Sequence, residues 1–517
     1  MPNEPIQNMK PRGNQRAVLV VDQGSHASKA LIYSDDGELL ADTESAVETF
    51  HPEPGWVEHD AEALLASVRT AVTHAIAEAN LAPNVIRRAG LATQRSTVLA
   101  WDAVTGRALS PALSWRDTRY AAWLARLNID RQKVRRITGL VPSPHYGASK
   151  LRWCLDQLPD VTKALGQGRL RMGPLSSFLT TRLASSRHSG VGSADHQRFG
   201  SPVVDPANAS RTLLWDIASR SWSKPMLAAF GIPPEILPRP VPSRHDYGVL
   251  DTSGAPIPMT LCTGDQSAAL FAAGPPDRDT VYVNLGTGAF LQRAGLNTQM
   301  PPGLLKSICW QEGDRVLEVL EGTVNGAGAA LSWLATEVNT PEQALIEAAP
   351  GWLDTVTDPP LFANGVGGLG SPYWLAEAPV RFDRKASIPE RTVAVLESVV
   401  FLIQTNLRVM DKPPAARIAV SGGLARLDGL CQRLADLAGI PVLRRQDVES
   451  TARGVAWLLS AAPGDAFAHN GMPAVTSPPG VASAALFEPR SESGLAARFA
   501  RWQAYMAQLT GREGNPE

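Results

Sequence analysis

The chain has 517 residues, which is too long for one hydrophobic core and indicates roughly two to four domains. Its composition, with 44% hydrophobic and 19% charged residues, is typical of a folded globular protein. The formal net charge of -1 excludes the strongly basic surface of a nucleic-acid-binding protein, so we expect no nucleic-acid partner.

The cysteines and the N-terminal residues indicate the cellular compartment of the protein. The cysteines form no CxxC pair, which disfavours a disulfide framework or a cysteine metal site; they are Cys154, Cys262, Cys309 and Cys431. Reduced thiols fit a cytoplasmic protein, which is our prediction. Residues 1–15 are polar and are predicted to form a flexible arm rather than a signal peptide. No uninterrupted apolar run approaches the roughly 20 residues of a membrane helix, so we expect no membrane partner.

The first predicted elements are two strands joined by a turn that contains glycine and serine. Apolar residues 18–21 lead into the turn 22–25, Asp-Gln-Gly-Ser, and a second apolar run follows at 30–33. Glycine lets the backbone approach a ligand closely, and the N–H groups of such a turn can hold an anion. Asp22 ends the first strand, where a carboxylate can hold hydrated Mg²⁺ or simply cap the turn.

Helices and strands then alternate. Asp60 is a plausible N-cap for a helix over 61–79, whose apolar residues fall on one face. Strands are predicted at 89–93 and 98–101, and residues 115–119 are predicted to open another helix. This alternation predicts an α/β layered fold.

Two polar segments indicate how the chain is divided. Residues 186–206 are rich in Ser, Gly and His and are predicted to form a surface loop. The Pro-rich stretch from 233 to 258 is the best candidate for a domain boundary. We therefore predict an N-terminal domain over 16–257, a C-terminal domain over 258–461, and a loose segment with a terminal helix over 462–517.

The second half repeats the arrangement of strand, glycine turn and strand. Apolar residues 281–285 lead into the turn 286–288, Gly-Thr-Gly, and a further apolar run at 289–291. Two anion-holding turns in two halves indicate a phosphate gripped from both sides of a cleft, although two ordinary hairpins would share the pattern. Just before this turn, Asp265 stands at the start of a helix predicted to run from 267 to 273. It is either an N-cap or a general base for a hydroxyl that receives phosphate.

Farther along, several short motifs can contact a nucleoside or a small polar ligand. Gly422-Gly423 follows a predicted strand at 417–420 and could let an adenine or ribose lie flat on the backbone, or could simply pack tightly. Helices are predicted at 325–334, 390–410, 428–438, 451–461 and 494–509. A polar pocket could be lined by Arg95, Trp115 and His145, although each of them alone is as readily a structural residue.

Taken together, these motifs resemble the FGGY family of carbohydrate kinases, and within it are most similar to the glycerol kinases. The resemblance covers about residues 16 to 460 and rests on segments in family order: 22–25, 54–60, 94–95, 208–212, 264–266, 286–288, 321–322 with 333–334, 368–374 and 421–423. It implies an α/β fold of two actin-like (ribonuclease H-like) ATPase domains around a nucleotide cleft. It also implies transfer of the ATP γ-phosphate to a hydroxyl of a polyol or sugar.

The resemblance also implies roles for individual residues. Asp265 matches the catalytic base, and Asp22 together with Asp265 matches the Mg²⁺ site. The matches to the phosphate loops are Gly24, Ser25, Lys29, Gly286 and Thr287. The matches to the nucleoside side are Asn325, Gly328, Gly422 and Gly423. The matches to acceptor-contacting positions are Arg95, Ser96, Trp115, His145, Gln266 and Phe290.

Four positions depart from the glycerol kinase pattern, and one of them is His26, which stands where those enzymes carry Thr. Ser96 stands where those enzymes carry an acid, and His145 stands where they carry Tyr. A carboxylate accepts charge-assisted hydrogen bonds that a serine cannot match, a difference of about 1–2 kcal/mol. Lys29 replaces an Arg and keeps its charge without the bidentate fork. The catalytic residues are therefore retained while the acceptor pocket is altered.

We therefore predict an ATP- and Mg²⁺-dependent kinase of a small polyol or sugar, in which domain closure excludes water. Glycerol is the first candidate acceptor, followed by a tetritol, pentitol or ketose. Homo-oligomers are common in the family, so the resemblance allows one here. Two alternatives remain: a non-catalytic sugar-binding or regulatory protein on the same fold, and an actin- or chaperone-like ATPase that binds protein partners.

Overall fold

The structure is a computed structural model that describes residues 16–82, 84–185, 201–250, 252, 255–296, 299–410, 414–444, 449–468, 485–491 and 493–511. Contacts between Cα atoms divide the chain into two compact units. Unit 1 comprises Met1–Pro275, Ser307–Leu317 and Glu449–Gly480, and unit 2 comprises Pro276–Lys306, Glu318–Val448 and Val481–Glu517.

The described strands, in chain order, are β1 (Ala17–Gln23), β2 (Ala27–Ser34), β3 (Leu39–Ala46), β4 (Glu58–His59), β5 (Ile86–Thr93), β6 (Val98–Asp102), β7 (Ala112–Leu113), β8 (Leu170–Pro174), β9 (Ala184–Ser185), β10 (Val203–Val204), β11 (Trp215–Asp216), β12 (Ser221–Trp222), β13 (Arg239–Pro240), β14 (Arg244–Leu250), β15 (Ile257–Gly264), β16 (Thr280–Leu285), β17 (Ala289–Ala294), β18 (Leu305–Glu312), β19 (Arg315–Val324), β20 (Phe362–Asn364), β21 (Val380–Phe382), β22 (Arg417–Ser421), β23 (Val442–Arg444) and β24 (Ala485–Phe487).

The described α-helices, in chain order, are α1 (Ala61–Ala79), α2 (Ala121–Arg126), α3 (Arg131–Thr138), α4 (Gly147–Gln157), α5 (Pro159–Gly166), α6 (Leu175–Leu183), α7 (Pro206–Ala209), α8 (Lys224–Phe230), α9 (Asp265–Ala269), α10 (Gly328–Glu337), α11 (Glu342–Thr355), α12 (Ile388–Met410), α13 (Asp428–Ala438), α14 (Ser450–Ser460) and α15 (Ser493–Thr510). Short 3-10 turns occur at Pro234–Ile236, Gly423–Arg426 and Asp465–Phe467.

The centre of unit 1 is a seven-stranded sheet in the order β3-β2-β1-β5-β15-β14-β9. Its middle strands β1, β5 and β15 run parallel, whereas β2 and β3 extend it as an antiparallel meander. The run 18–21 of β1 is buried throughout, as expected for a central strand covered on both faces. The predicted helix 61–79 is confirmed as α1, and the Asp60 carboxylate accepts hydrogen bonds from the N–H groups of Glu62 and Ala63.

A second seven-stranded sheet has the order β18-β19-β17-β16-β22-β23-β24, and its strands β16, β22 and β23, which belong to unit 2, run parallel. Both predicted glycine turns lie in antiparallel hairpins, β1–β2 in unit 1 and β16–β17 in unit 2. The core helix α12 is the one described helix long and apolar enough to cross a membrane, but 89% of its most apolar window is buried against the rest of the protein. That burial is expected of a core helix.

Three predicted elements differ from the structure. The helix expected to open at 115–119 begins only at Ala121, because the Asp117 carboxylate accepts from the N–H of Val57 and pairs with Arg119, which holds a turn. The helix expected over 267–273 is α9, which begins at Asp265 and ends at Ala269. The loop expected at 186–206 lies mostly outside the described residues, and α7 begins at its end.

The predicted domain limits also differ from the contact units. The predicted boundary between 257 and 258 falls inside β15, which is hydrogen-bonded to β5 and β14 in the first sheet, and the contact division comes at Pro275 and Pro276 instead. At the other end, strand β24 lies within the segment expected to be loose and extends the second sheet. The predicted terminal helix is present as α15, which buries Leu495, Phe499, Trp502 and Met506 in the core of unit 2.

Candidate active site

Three neighbouring parallel strands of unit 1 end beside the candidate catalytic residues. Asp22 is the next-to-last residue of β1, Arg95 follows β5, and Asp265 follows β15 directly. The register aligns the strand ends, since Ala92 of β5 lies opposite both Asp22 and Thr263. Ligands of open α/β sheets bind outside the carboxyl ends of parallel strands. The sheet therefore places a carboxylate, a guanidinium and a second carboxylate at one edge.

Asp265 does not cap a helix. The N-cap of α9 is Gly264, and the Asp265 carboxylate accepts from the N–H of the next residue, Gln266, at 2.7 Å. The Arg95 guanidinium lies 4.0 Å from the same carboxylate and donates a hydrogen bond to the Gln266 side-chain oxygen. Burial raises the pKa of Asp265, while Arg95, the Gln266 N–H and Arg211 oppose the rise. A raised carboxylate pKa brings the group closer to the range in which a general base works well.

Asp22 lies in a strongly acidic environment. Burial is the largest cause that raises the pKa of Asp22 to about 7, followed by the carboxylates of Asp265 and Glu449. Lys29 and the Thr451 hydroxyl favour the ionised form. Lys29 lies opposite Asp22 in the β1–β2 hairpin and donates to Glu449 at 2.5 Å. Two like charges in one site disfavour each other, so a cation beside them would be stabilised.

Hydrogen bonds join the first glycine turn to the predicted acceptor residues. The Trp115 indole N–H donates to the Ser25 hydroxyl at 3.1 Å, and Ser25 donates to the Gln94 side-chain oxygen, also at 3.1 Å. Gln94 in turn donates to the side-chain oxygen of Gln23 at 3.2 Å. Trp115 is 37% exposed, so it lines the surface of unit 1 rather than its core. The predicted phosphate turn and part of the predicted acceptor pocket thus form one network.

Two of the residues that depart from the glycerol kinase pattern, Ser96 and His145, border the other predicted acceptor residues. Ser96 follows Arg95, is buried, and adopts a left-handed backbone with a φ of 65°. His145 is exposed, and its ring Nδ1 lies 3.1 Å from the carbonyl oxygen of Trp115. Unit 1 therefore brings together five of the six predicted acceptor residues: Arg95, Ser96, Trp115, His145 and Gln266.

Unit 2 gathers the residues predicted for the nucleotide. The carbonyl oxygen of Gly286 accepts from the N–H of Gly328 at 3.0 Å, and that of Thr287 accepts from the N–H of Ala329 at 2.9 Å. These bonds attach the second glycine turn to the start of α10. The Asn325 side chain donates to the carbonyl oxygen of Gly367 at 2.9 Å, which fixes the loop before this helix.

Gly422 and Gly423 stand beside the same turn. Gly422 has a φ of +93°, and a Cβ there would lie 2.5 Å from the carbonyl oxygen of Leu285, so the position requires glycine. A Cβ on Gly423 would meet no atom within 4 Å, which leaves open space above this backbone. The sixth predicted acceptor residue, Phe290, lies half-buried on β17 in unit 2. Its predicted contact with the acceptor stays a prediction.

Sequence reasoning missed three residues of this site. Gln94 falls in the motif 94–95 without a predicted role of its own, yet it is hydrogen-bonded to the first glycine turn. Glu449 and Thr451 stand at the start of α14, for which the sequence predicts a helix but no site residue, and both act on Asp22. Glu449 is 420 positions from Lys29, its ion-pair partner, so no local sequence pattern predicts the pair.

Comparison with known families finds matches along most of the chain. The family described as "FGGY family of carbohydrate kinases, N-terminal domain" matches residues 17–272, and the corresponding C-terminal domain matches residues 281–462. A glycerol kinase of Symbiobacterium thermophilum is 34% identical over 473 residues, which cover 87% of this chain and 90% of the relative.

Solved structures share the fold at lower identity. A glycerol kinase of Plasmodium falciparum, solved with ADP, superposes with a TM-score of 0.82 at 21% identity and covers 96% of this chain and 98% of its own. A xylulose kinase of Brucella ovis superposes with a TM-score of 0.79 at 22% identity and covers 96% of this chain and 100% of its own. Kinases with different acceptors in their names thus share this fold, so the fold alone does not select an acceptor.

Proposed function

Because the chain belongs to the FGGY family of carbohydrate kinases, we propose that Asp265 is the general base of an ATP-dependent phosphoryl transfer to a hydroxyl of a small polyol or sugar. The two-domain actin-like α/β fold and the carbohydrate kinase class follow from the family and its structural relatives. The observation that carries the assignment of residues is the convergence of Asp22, Arg95 and Asp265 at the ends of adjacent parallel strands.

Asp265 is suited to accept the proton of an acceptor hydroxyl. Its carboxylate stands at the first position of a short helix, and the Arg95 guanidinium lies beside it at 4.0 Å. Phosphoryl transfer depends mainly on alignment and charge stabilisation, with a carboxylate to take the hydroxyl proton. Arg95 and Gln266, which are hydrogen-bonded to each other, orient the acceptor at this carboxylate.

Mg²⁺ fits Asp22 and Asp265. The described residues contain no group of three or more histidine, cysteine or acidic side chains that could hold a metal. Mg²⁺ needs no such cage in a kinase, because it uses one or two carboxylates together with waters and substrate phosphates. Burial is the main cause that raises the pKa of Asp22, and repulsion from Asp265 and Glu449 adds to it; a dication beside these carboxylates would relieve that repulsion. Bound there, Mg²⁺ would offset the charge of the ATP phosphates.

ATP is assigned to the glycine turns. In unit 2, the turn 286–288 and the Gly422-Gly423 backbone leave room for close approach of a ligand, and Asn325 with Gly328 borders them. In unit 1, the first glycine turn contributes Gly24 and Ser25. Lys29 supplies a positive charge near this turn and forms an ion pair with Glu449. The ADP named with the Plasmodium falciparum enzyme supports a nucleotide on this fold.

Glycerol is the first candidate acceptor, since the curated relatives that match most of the chain carry the name glycerol kinase. Ser96 and His145 remove a carboxylate and a phenol from the pocket, and a tetritol, pentitol or ketose therefore remains in the proposal. A cytoplasmic location and a homo-oligomeric state also stay as predictions. The non-catalytic alternative would not need Asp265 beside Arg95, and the retained pair favours an enzyme.

The test is a phosphorylation assay with Mg-ATP across a panel of polyols and sugars. We expect the purified protein to phosphorylate at least one acceptor, and Asp265→Asn to lower kcat by about 10²–10⁴-fold. Asp160→Asn, which changes an exposed acid on α5 of the same unit, is the matched control and should leave kcat unchanged. No turnover of any acceptor by the wild type would refute the function, and full activity of Asp265→Asn would refute the base.

A further inference from the structure

Lys150 is a buried lysine outside the machinery assigned above. It lies in the first turn of α4 and is 1% exposed. Lysine is among the residues least often buried, since its ammonium must be hydrogen-bonded once water is removed. A buried lysine beside a candidate pocket therefore needs a physical reason.

The three hydrogen bonds of Lys150 supply that reason. Its Nζ donates to the main-chain carbonyl oxygens of Ser96, Ser114 and His145, each at 2.8 Å. An ammonium group has three N–H donors, so these acceptors use all of them. Hydrogen bonds from a charged donor are shorter and about twice as strong as those between neutral groups.

The three acceptors belong to three separate segments of the chain. One follows β5 and carries Ser96, the second follows β7 and precedes Trp115, and the third precedes α4 and carries His145. Each segment therefore contributes a predicted acceptor residue, and one side-chain group fixes all three. Neutral bonds connect the same segments less directly, such as that from the Trp115 N–H to the Thr97 hydroxyl at 3.1 Å.

The start of α4 is itself fixed, which fixes Lys150. A Cβ on Gly147 would lie 2.8 Å from the Val98 side chain, so the helix packs closely on β6. The N–H of Ala148 donates to the carbonyl oxygen of Thr212 at 2.8 Å. The Lys150 ammonium is thus anchored from the helix side and reaches toward the pocket segments.

Charged neighbours act on the protonation of this lysine. Burial lowers the pKa of Lys150 to about 7; Asp117 opposes this effect, and Arg119 adds to it. The three carbonyl oxygens favour the ammonium, because only that form has a donor for each of them. Kinetic comparisons are therefore best made somewhat below pH 7.

We propose that Lys150 is a positioning residue that holds the Ser96, Trp115 and His145 segments in one arrangement and so sets the affinity for the acceptor, without touching it. This inference rests on the proposed kinase function. It predicts a loss mainly for the acceptor, because Lys150 bonds directly to the three acceptor segments. Lys150 reaches the first glycine turn only through the Trp115–Ser25 hydrogen bond, and most residues assigned to ATP lie in unit 2.

The test compares Lys150→Met with Leu151→Ala in the wild-type background. Methionine keeps an unbranched side chain of similar length and removes the donors. Leu151 is the next residue of α4 and is fully buried, so its truncation disturbs the same helix without touching the three carbonyl bonds. The measurement is KM for the best acceptor of the panel, KM for ATP and kcat, with each variant confirmed as folded by circular dichroism.

For Lys150→Met we expect the acceptor KM to rise by at least about tenfold, while the KM for ATP stays within about twofold of the wild type. Leu151→Ala should leave both constants near the wild-type values. An unchanged acceptor KM in Lys150→Met, or equal changes in both constants as in a merely destabilised enzyme, would overturn the inference.

Lys150→Arg keeps the test decisive if the methionine variant does not fold. Its planar guanidinium retains the charge but cannot direct three donors from one atom, so a smaller rise in the acceptor KM alone is expected. An arginine variant with wild-type constants would then contradict the inference. Failure of the wild type to phosphorylate any acceptor would overturn the kinase function and this inference together, whereas an active wild type leaves the function intact whatever Lys150 does.

Discussion

Gly264 and Arg95 show how closely the residues around the candidate base are packed. A Cβ on Gly264 would lie 2.5 Å from both Cγ and Cδ of Arg95, so an alanine would displace the arginine stem. The Arg95 side chain is 5% exposed and has little room to move aside. We expect Gly264→Ala to raise the acceptor KM by about tenfold or more, measured by steady-state kinetics, because a displacement near 1 Å is costly in an active site.

Gly166 provides the control for that substitution. It lies at the end of α5 in unit 1, and a Cβ there would meet no atom within 4 Å. Gly166→Ala should therefore leave the kinetic constants unchanged. Equal acceptor KM values for the two alanine variants would show that the Arg95 stem accommodates the change, and that its position does not limit acceptor binding.

Motifs predicted which residues would lie together at the candidate site, and their roles stay predictions. Asp22 ends the apolar run of β1 and Asp265 follows β15, and the structure brings both into the same electrostatic environment. Lys150 had no such signal, since a lysine near the start of an amphipathic helix is expected to face solvent. Only the tertiary placement of three carbonyl oxygens explains its burial.

The C-terminal helix α15 lies beyond the matched C-terminal family domain, which ends at 462, yet it contributes a buried ion pair to unit 2. Arg498 pairs at 2.7 Å with Glu397 of α12, which is 2% exposed and also pairs with Arg433. Removing one partner of a buried pair leaves a charge without full compensation. Arg498→Met is therefore expected to lower the free energy of unfolding of unit 2 by about 3 kcal/mol, measured by urea denaturation followed by tryptophan fluorescence.

Arg501 on the same helix gives a matched comparison. Like Arg498, Arg501 pairs with a carboxylate, that of Asp358, but both side chains of this pair are more than half exposed, at 57% and 62%. Exposed pairs contribute about 1 kcal/mol at most and are screened by salt. Arg501→Met should therefore change the unfolding midpoint much less. Equal losses for the two variants would mean that burial of the Arg498 pair does not contribute to stability.

Long periodic elements were predicted more reliably than short ones. Helices α1 and α13 have the predicted bounds, 61–79 and 428–438. The helix predicted to open at 115–119 begins later in the structure, because the Asp117 carboxylate accepts a hydrogen bond from Val57 and holds a turn there. Val57 lies 60 positions away in the sequence. Such long-range competition for a side chain leaves no periodic signal in the local sequence.

The division of the chain was the least predictable feature. A Pro-rich stretch resembles a linker, but β14 and β15 lie within and beside it and complete the first sheet. The contact units are also discontinuous: unit 1 includes Glu449–Gly480 from the far end of the chain. Composition along the sequence does not reveal a segment that returns to an earlier domain.

Because the acceptor residues of unit 1 and the nucleotide turns of unit 2 are assigned to different contact units, each ligand should protect its own unit first. Binding stabilises the segments that contact the ligand, and hydrogen exchange measures this locally. With ADP alone, we expect slower exchange at 284–288 and 421–423 of unit 2 and little change at 94–96 and 143–146 of unit 1. With the acceptor alone, we expect the reverse. Protection of the unit 1 segments by ADP, without protection of the unit 2 turns, would contradict the nucleotide assignment. The role of Asp265 as the base would be unaffected, because Asp265→Asn tests it separately.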